Sequence, residues 1–222
     1  MTTLVHVTHE AGQQAGGIGT VLRGLITADS YRDYCQRTIL LGPLTDPGAE
    51  QPLGPEGEVL YDADRQIRTG EGADVLRRVE FEFGVRLIYG RRLLSEGGRQ
   101  ARPEVLLVDV RHPPHGLNDF KHALFQHFGL DSQRYEHHWE YEQYLRLAEP
   151  GFAAVQALVG AEPFMLLAHE FMGLGTAFKA QLSGSPACKT LFYAHEVATV
   201  RPLVEEGPGR DIAFYNPLRR AR

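Results

Sequence analysis

The feature that most constrains the fold lies near the start of the chain, where an apolar run meets a glycine-rich loop and then a helical pattern. Residues 4–7 are apolar and strand-like, and the loop that follows holds Gly12, Gly16, Gly17 and Gly19. Apolar residues then recur at the spacing of one helix face: Ile18, Val21, Leu22, Leu25 and Ile26. The sequence therefore predicts a strand, a glycine loop and an amphipathic helix in direct succession.

A glycine loop at the start of a helix has two interpretations. The first backbone N–H groups of a helix have no partner inside it, and the helix dipole favours negative charge there, so a phosphate can bind. The simpler interpretation is a tight turn that needs glycine for a positive φ. This stretch alone leaves both open.

The rest of the chain continues to alternate between strand and helix patterns. Residues 38–41 form a second apolar run, which gives a β-α-β opening, and residues 164–168 and 191–194 are strand-like, with a helix pattern over 172–182 between them. Such alternation is typical of a parallel sheet flanked by helices. We predict an α/β fold with a Rossmann-like parallel sheet.

Other segments fit into this scheme. Residues 43–58 are rich in proline and glycine and predict a surface loop. The spacing of apolar residues predicts helices over residues 73–83, 120–128 and 133–147, with Gly129 capping the second and Pro150-Gly151 interrupting the third before it resumes. The apolar runs 85–89 and 105–110 are predicted to be neighbouring strands joined by a long basic connection.

Two strand patterns each end in a histidine followed by a glutamate, His169-Glu170 and His195-Glu196. Ligands of open parallel sheets bind outside the carboxyl ends of the strands. We therefore expect both dipeptides to lie at the same edge of the sheet as the glycine loop.

Several common sites are disfavoured by their missing residues. A dinucleotide fingerprint would need a third glycine where Leu22 stands, and the chain has neither a P-loop G-K-[ST] nor a hydrolase G-x-S-x-G. The histidine pairs His112/His115 and His137/His138 lack the spacing of a zinc site. These histidines are interpreted as surface or packing residues, and no metal site is predicted.

Charge and composition limit the partners. The net charge of -5 gives no basic footprint for nucleic acid, and no apolar run is long enough to span a membrane. The two cysteines, Cys35 and Cys188, lie far apart and suit a reducing compartment. We expect a cytoplasmic protein that binds neither nucleic acid nor membranes.

Several separated stretches have a common resemblance. The opening E-A-G-Q-Q-A-G-G-I-G-T-V-L is similar to a loop E-x-x-x-K-x-G-G-[IL]-x-[TD]-V, A-H-E-F-M-G-L-G to H-[ED]-W-x-x-G, F-Y-A-H-E-V-A-T-V-R-P-L to T-x-H-x-x-x-x-G-R, and A-F-Y-N to D-F-Y-N. Between them, R-L-I-Y-G-R-R-L-L-S-E-G, V-L-L-V-D-V and F-K-H-A-L-F-Q-H-F-G-L-D-S keep the same order. Together they resemble the N-terminal half of a glycogen or starch synthase, a retaining glycosyltransferase of the two-domain GT-B architecture.

The chain departs from the family pattern at four positions. Gln14 stands in place of the lysine of the glycine loop, and a glutamine offers hydrogen bonds but no charge. Phe171 replaces the tryptophan of H-[ED]-W, Val200 the glycine of G-R, and Ala213 the aspartate of D-F-Y-N.

The resemblance implies glucosyl transfer from ADP-glucose or UDP-glucose to an α-1,4-glucan, with no cofactor or metal. It implies that His195 contacts the glucosyl unit as the catalytic residue. It also implies that Gly16, Gly17, Gln14, His169 and Glu170 bind the substrates, whereas Glu10 is expected to be structural. Residues 1–222 would be the N-terminal, acceptor-side domain, incomplete at its C-terminus and without the second nucleotide-binding domain.

That second domain could belong to the same protein or to a separate chain, and we expect the 222 residues alone to be inactive. Two other interpretations stay open at this point. One is a non-catalytic truncated synthase domain that binds glucan or a partner chain. The other is a GT-B transferase with a different acceptor, as in sucrose or trehalose synthesis.

Overall fold

The computed structural model describes residues 2–13, 16–70 and 72–195. The strands are β1 (Thr3–Val7), β2 (Arg37–Pro43), β3 (Glu58–Asp62), β4 (Ile67–Arg68), β5 (Leu87–Arg91), β6 (Leu94–Glu96), β7 (Arg99–Ala101), β8 (Glu104–Val108), β9 (Phe164–His169) and β10 (Cys188–Tyr193). The helices are α1 (Gly17–Thr27), α2 (Asp29–Tyr34), α3 (Ala73–Phe83), α4 (Leu117–Phe128), α5 (Trp139–Val159) and α6 (Glu170–Leu182), with a short 3₁₀ helix at Ser132–Tyr135.

Eight of the strands form one sheet in the order β10-β9-β1-β2-β8-β5-β3-β4, and β6 and β7 form a separate hairpin. The first five strands in that order are parallel to one another. β5 runs antiparallel to β8 and to β3. The predicted α/β class is confirmed, but the sheet is mixed and not parallel throughout.

The reversal at β5 follows from its connection. The predicted strands 85–89 and 105–110 are neighbours, as expected, and the chain between them forms the β6-β7 hairpin with no helix. Parallel neighbours need a crossover connection, usually a helix, whereas antiparallel neighbours can be joined without one. The absence of a helix between β5 and β8 is therefore consistent with their antiparallel pairing.

Helices cover both faces of the sheet because alternate strand residues point to opposite sides. Val5, Val7 and Ile39 pack in the larger core, together with residues of α3, α5 and α6. Leu40 points the other way and packs with Leu22 of α1. These two apolar layers pack the sheet between helices, and this packing fixes the positions of the strand ends.

The first helix begins where the sequence predicts, but its buried face is narrower. Leu22 and Ile26 are buried, whereas Val21 is 42% exposed. Val21 therefore does not belong to the packed face, because α1 rests on the sheet along one stripe and Val21 lies at the edge of that stripe.

The prediction for α3 is confirmed at residues 73–83, and Gly129 caps α4 in the left-handed region with φ of 68°.

The helix after residue 133 differs from the prediction. Residues 132–135 form the 3₁₀ helix, and α5 starts at Trp139 and continues through Pro150 to Val159. A proline inside a helix costs about 3 kcal/mol. Packing offsets this cost, since Pro150 and Phe152 are buried and Gly151 lies against Leu41 of the sheet.

Loop 43–58 lies at the surface but is anchored to the core by Leu44 and Leu53, both nearly fully buried. Within the described part of the chain, no helix is long and apolar enough to cross a membrane.

Candidate functional site

The carboxyl ends of β1, β9 and β10 lie side by side. Val7 is in register with Ala168, and His169 with Tyr193. The glycine loop, Glu170 and His195 each follow one of these strand ends, so the sheet brings all three to one edge. We call this edge the carboxyl rim.

Glu10 closes the glycine loop at the rim. Its side chain is buried, and its Oε2 accepts the backbone N–H of Gly16 at 2.6 Å. This contact fits the structural role expected of Glu10. It also means that one backbone donor of the loop is already engaged by a carboxylate.

The start of α1 remains open beyond that contact. Gly16 and Gly17 are exposed, and a side chain at Gly17 would meet no other described residue within 4 Å. Among the described residues, no side chain caps this helix. The first turn of α1 therefore presents N–H groups to the rim, with the negative charge of Glu10 beside them. Gln14 lies outside the described residues.

Two arginines line a cleft of about 590 Å³ next to the glycine loop. Arg92 donates from Nη1 to the carbonyl oxygens of Glu10 and Ala11, each at 3.1 Å, and burial lowers its pKa. Arg23 of α1 lines the same cleft. Neither arginine is recognisable as a site residue from the sequence, although the basic connection that contains Arg92 is a signal.

A sharp turn joins β9 to α6 at the rim. Glu170 adopts a φ of 56°, in the left-handed region that is unfavourable for a residue with a side chain. Gly173 allows the turn to close, because a Cβ at this position would lie 2.5 Å from the Cα of Ala168. The turn directs Glu170 toward the next strand end, where its carboxylate accepts the backbone N–H of His195.

Three histidines form a hydrogen-bonded row that runs inward from the rim. Nε2 of His195 lies 2.7 Å from Nδ1 of His169, and Nε2 of His169 lies 2.8 Å from Nδ1 of His6. Nε2 of His6 then contacts the hydroxyl of Tyr31 at 3.0 Å. We call these four residues the histidine row.

Burial keeps the inner part of this row uncharged. It lowers the pKa of His6 to about 3 and that of His169 to about 4, and repulsion from the adjacent histidine adds to both shifts. The pKa of His195 is also lowered by burial, while Glu170 and Glu10 act in the opposite direction. At neutral pH the two inner histidines therefore act as hydrogen-bonding groups and carry no charge.

The histidines considered for a metal site lie elsewhere. His112, His115, His137 and His138 are all exposed, and Nδ1 of His115 contacts the carbonyl of Glu82 at 3.0 Å. Across the described ranges, no group of three or more potential ligands could hold a metal ion.

The structure thus brings Gly16, Gly17, His169, Glu170 and His195 to the carboxyl rim. The sequence did not predict His6 and Tyr31 as site residues, although a histidine inside an apolar strand is an unusual buried residue. Glu196, Val200 and Ala213 lie outside the described residues. No protein-family model matches this chain, and no curated protein matches it in sequence.

Proposed function

We propose that this chain is the N-terminal, acceptor-side domain of a glycogen or starch synthase-like glucosyltransferase. Its substrates would be ADP-glucose or UDP-glucose and the non-reducing end of an α-1,4-glucan. The observation that carries the proposal is the hydrogen bond between Glu170 and the backbone of His195. These residues belong to two separate family-like segments, and they meet beside a third, the glycine loop.

The chemistry of the rim suits a sugar. Neutral imidazoles, a carboxylate and backbone N–H groups are the partners that hydroxyl groups use in proteins. His195 would contact the glucosyl unit, and Glu170 would hold His195 in place through its backbone. Transfer depends on such positioning and on stabilisation of the departing diphosphate.

The diphosphate would receive only part of its stabilisation from this chain. Gly17 and the first turn of α1 offer N–H groups, but the carboxylate of Glu10 engages Gly16 and works against an anion. In the family that the chain resembles, the second domain supplies the cationic groups. We therefore expect that the 222 residues alone do not transfer glucose.

Direct binding tests the proposal. Maltoheptaose, ADP-glucose and UDP-glucose are titrated separately into the full chain by calorimetry. We expect glucan and one nucleotide-sugar to bind, and His195→Ala to raise Kd for the nucleotide-sugar about tenfold, the effect of losing roughly 1.4 kcal/mol. His122→Ala, at an exposed position on α4, is the control and should leave both affinities unchanged.

The outcomes separate the competing functions. Failure to bind either class of ligand would reject the proposal. Binding of maltoheptaose with neither nucleotide-sugar would keep the acceptor-side assignment and reject the donor contacts assigned to His195 and Gly17. Incorporation of radioactive glucose into glycogen by the 222 residues alone would contradict the expected need for a second domain.

A further inference from the structure

We infer that the histidine row is the outer part of a longer hydrogen-bond chain with one fixed direction, which holds His195 as its Nε2–H tautomer and leaves Nδ1 as an acceptor at the rim. The members, in order toward the rim, are Cys35, Thr38, Tyr31, His6, His169 and His195. The inner members are positioning residues. Their importance for glucosyl transfer rests on the proposed function, whereas the tautomer of His195 does not.

The direction is set at the inner end by a carbonyl. The thiol of Cys35 lies 3.2 Å from the backbone oxygen of Arg37, which can only accept, so the thiol donates there. The sulfur is then left to accept from the hydroxyl of Thr38, at 3.3 Å. The reverse direction would require the thiol to turn from the carbonyl to Thr38 and would forfeit the bond to Arg37.

Each later group has a single proton to donate, so the donor-to-acceptor direction of one hydrogen bond fixes the direction of the next. The hydroxyl of Thr38 is engaged with the sulfur, and its oxygen therefore accepts from the hydroxyl of Tyr31 at 3.0 Å. Burial raises the pKa of Tyr31, which keeps that hydroxyl protonated. The oxygen of Tyr31 then accepts from Nε2–H of His6 at 3.0 Å.

The three imidazoles must follow in the same sense. A neutral imidazole carries one proton, so Nδ1 of His6 accepts from Nε2–H of His169, and Nδ1 of His169 accepts from Nε2–H of His195. A second proton on His6 or His169 would place two N–H donors against each other across a contact of 2.7 or 2.8 Å. The contacts are satisfied only when both inner rings are neutral.

The consequence at the rim is a preference for ligand groups that donate. Nδ1 of His195 carries a lone pair, and the Glu170 carboxylate that accepts the backbone N–H of the same residue adds negative charge beside it. A sugar hydroxyl can donate to such a site, whereas a phosphate oxygen cannot. The fixed direction of the hydrogen-bond chain thus assigns His195 to a hydroxyl of the glucosyl unit and not to the diphosphate.

The tautomers can be read directly by NMR. The full chain is labelled with ¹⁵N-histidine, and two-bond and three-bond ¹H–¹⁵N correlations are recorded at pH 7.5 without ligand. We expect neutral Nε2–H tautomers for His6, His169 and His195. An Nδ1–H tautomer or a cationic ring at any of the three would overturn the inference.

Removing a hydroxyl from the hydrogen-bond chain tests whether that chain sets the tautomer of His195. Tyr31→Phe leaves Nε2–H of His6 without an acceptor, and a buried N–H without a partner is less well tolerated than an unpaired acceptor. We expect the rings to shift toward the Nδ1–H form, with at least a fivefold rise of that form at His195. The matched control is Tyr34→Phe on the same short helix, where Tyr34 is 81% exposed, and it should change no tautomer.

A second variant and the ligand titrations keep the result interpretable. Thr38→Val removes the acceptor of Tyr31 while keeping the side-chain shape, and it serves if Tyr31→Phe does not fold. Unchanged tautomers in the folded variant would overturn the inference. Because the tautomers are read without ligand, failure of glucan or nucleotide-sugar binding would reject the proposed function and leave this result standing.

Discussion

Nδ1 of His6 and Nε2 of His169 lie 2.8 Å apart, in hydrogen-bond contact, although 163 positions separate the two residues in the chain. Both side chains are fully or almost fully buried. His6 lies on β1 and His169 on β9, and these two strands pair in parallel. The pair therefore links the middle of the sheet to the rim, and its properties can be tested through stability as well as through binding.

We predict that stability falls as the pH is lowered from 7 to 5. The pKa values of His6 and His169 are lowered to about 3 and about 4, so the unfolded chain binds more protons than the folded one below about pH 6.5. The stability that these groups contribute is therefore fully present above that pH, and it is lost as the pH falls toward their pKa values in the folded chain. Each histidine adds a slope of up to about 1.4 kcal/mol per pH unit.

Urea unfolding at half-unit pH intervals measures this slope. His6→Gln removes one of the two most strongly shifted groups and should lower the slope between pH 7 and 5 by up to about 1.4 kcal/mol per pH unit. His122→Gln, at an exposed position, should leave the curve unchanged. A wild-type stability that is flat over this interval would show that the two histidines are not held neutral.

We predict that Gly173→Ala destabilises the protein by about 1 to 3 kcal/mol, the range for overpacking a tight contact. The new Cβ would lie 2.5 Å from the Cα of Ala168 and push α6 away from β9. Gly24→Ala in α1 is the matched control, because among the described residues no atom outside the helix backbone lies within 4 Å of the added Cβ. Alanine should stabilise that helix by about 0.5 to 1 kcal/mol, and equal effects at both positions in urea unfolding would contradict the prediction.

We predict that Glu170→Gly stabilises the protein less than Gln66→Gly does. Both residues have a positive φ, 56° and 58°, so glycine should relieve a cost of about 1 kcal/mol at either position. Only Glu170 also binds the backbone of His195, and that bond is lost with the side chain. Free energies of unfolding from urea titration give the difference, and an equal gain would mean that the carboxylate contributes nothing to stability.

We predict that Glu10→Gln strengthens the binding of inorganic pyrophosphate about threefold to tenfold. The amide oxygen can still accept from Gly16, while the negative charge beside the start of α1 is removed. Asp33→Asn makes the same change of net charge at an exposed position on α2 and should have no effect. Calorimetric titration measures both, and an unchanged Kd for Glu10→Gln would exclude α1 as a diphosphate contact.

The candidate site was partly accessible from the sequence. The strand-end rule identified His169, Glu170 and His195 because each follows an apolar run that is recognisable by itself. His6 and Tyr31 could not be assigned to the same site, since a histidine within a strand says nothing about which distant ring it faces. Arg92 was missed for the same reason, because its partners belong to the glycine loop.

The sequence by itself determined the α/β class and most element positions, including α3 at residues 73–83, because hydrophobic periodicity is a local property. Tertiary structure alone decided the continuity of α5 through Pro150 and the histidine row. Each of these depends on contacts between segments far apart in the chain. Such contacts can outweigh a local preference, and no local pattern records them.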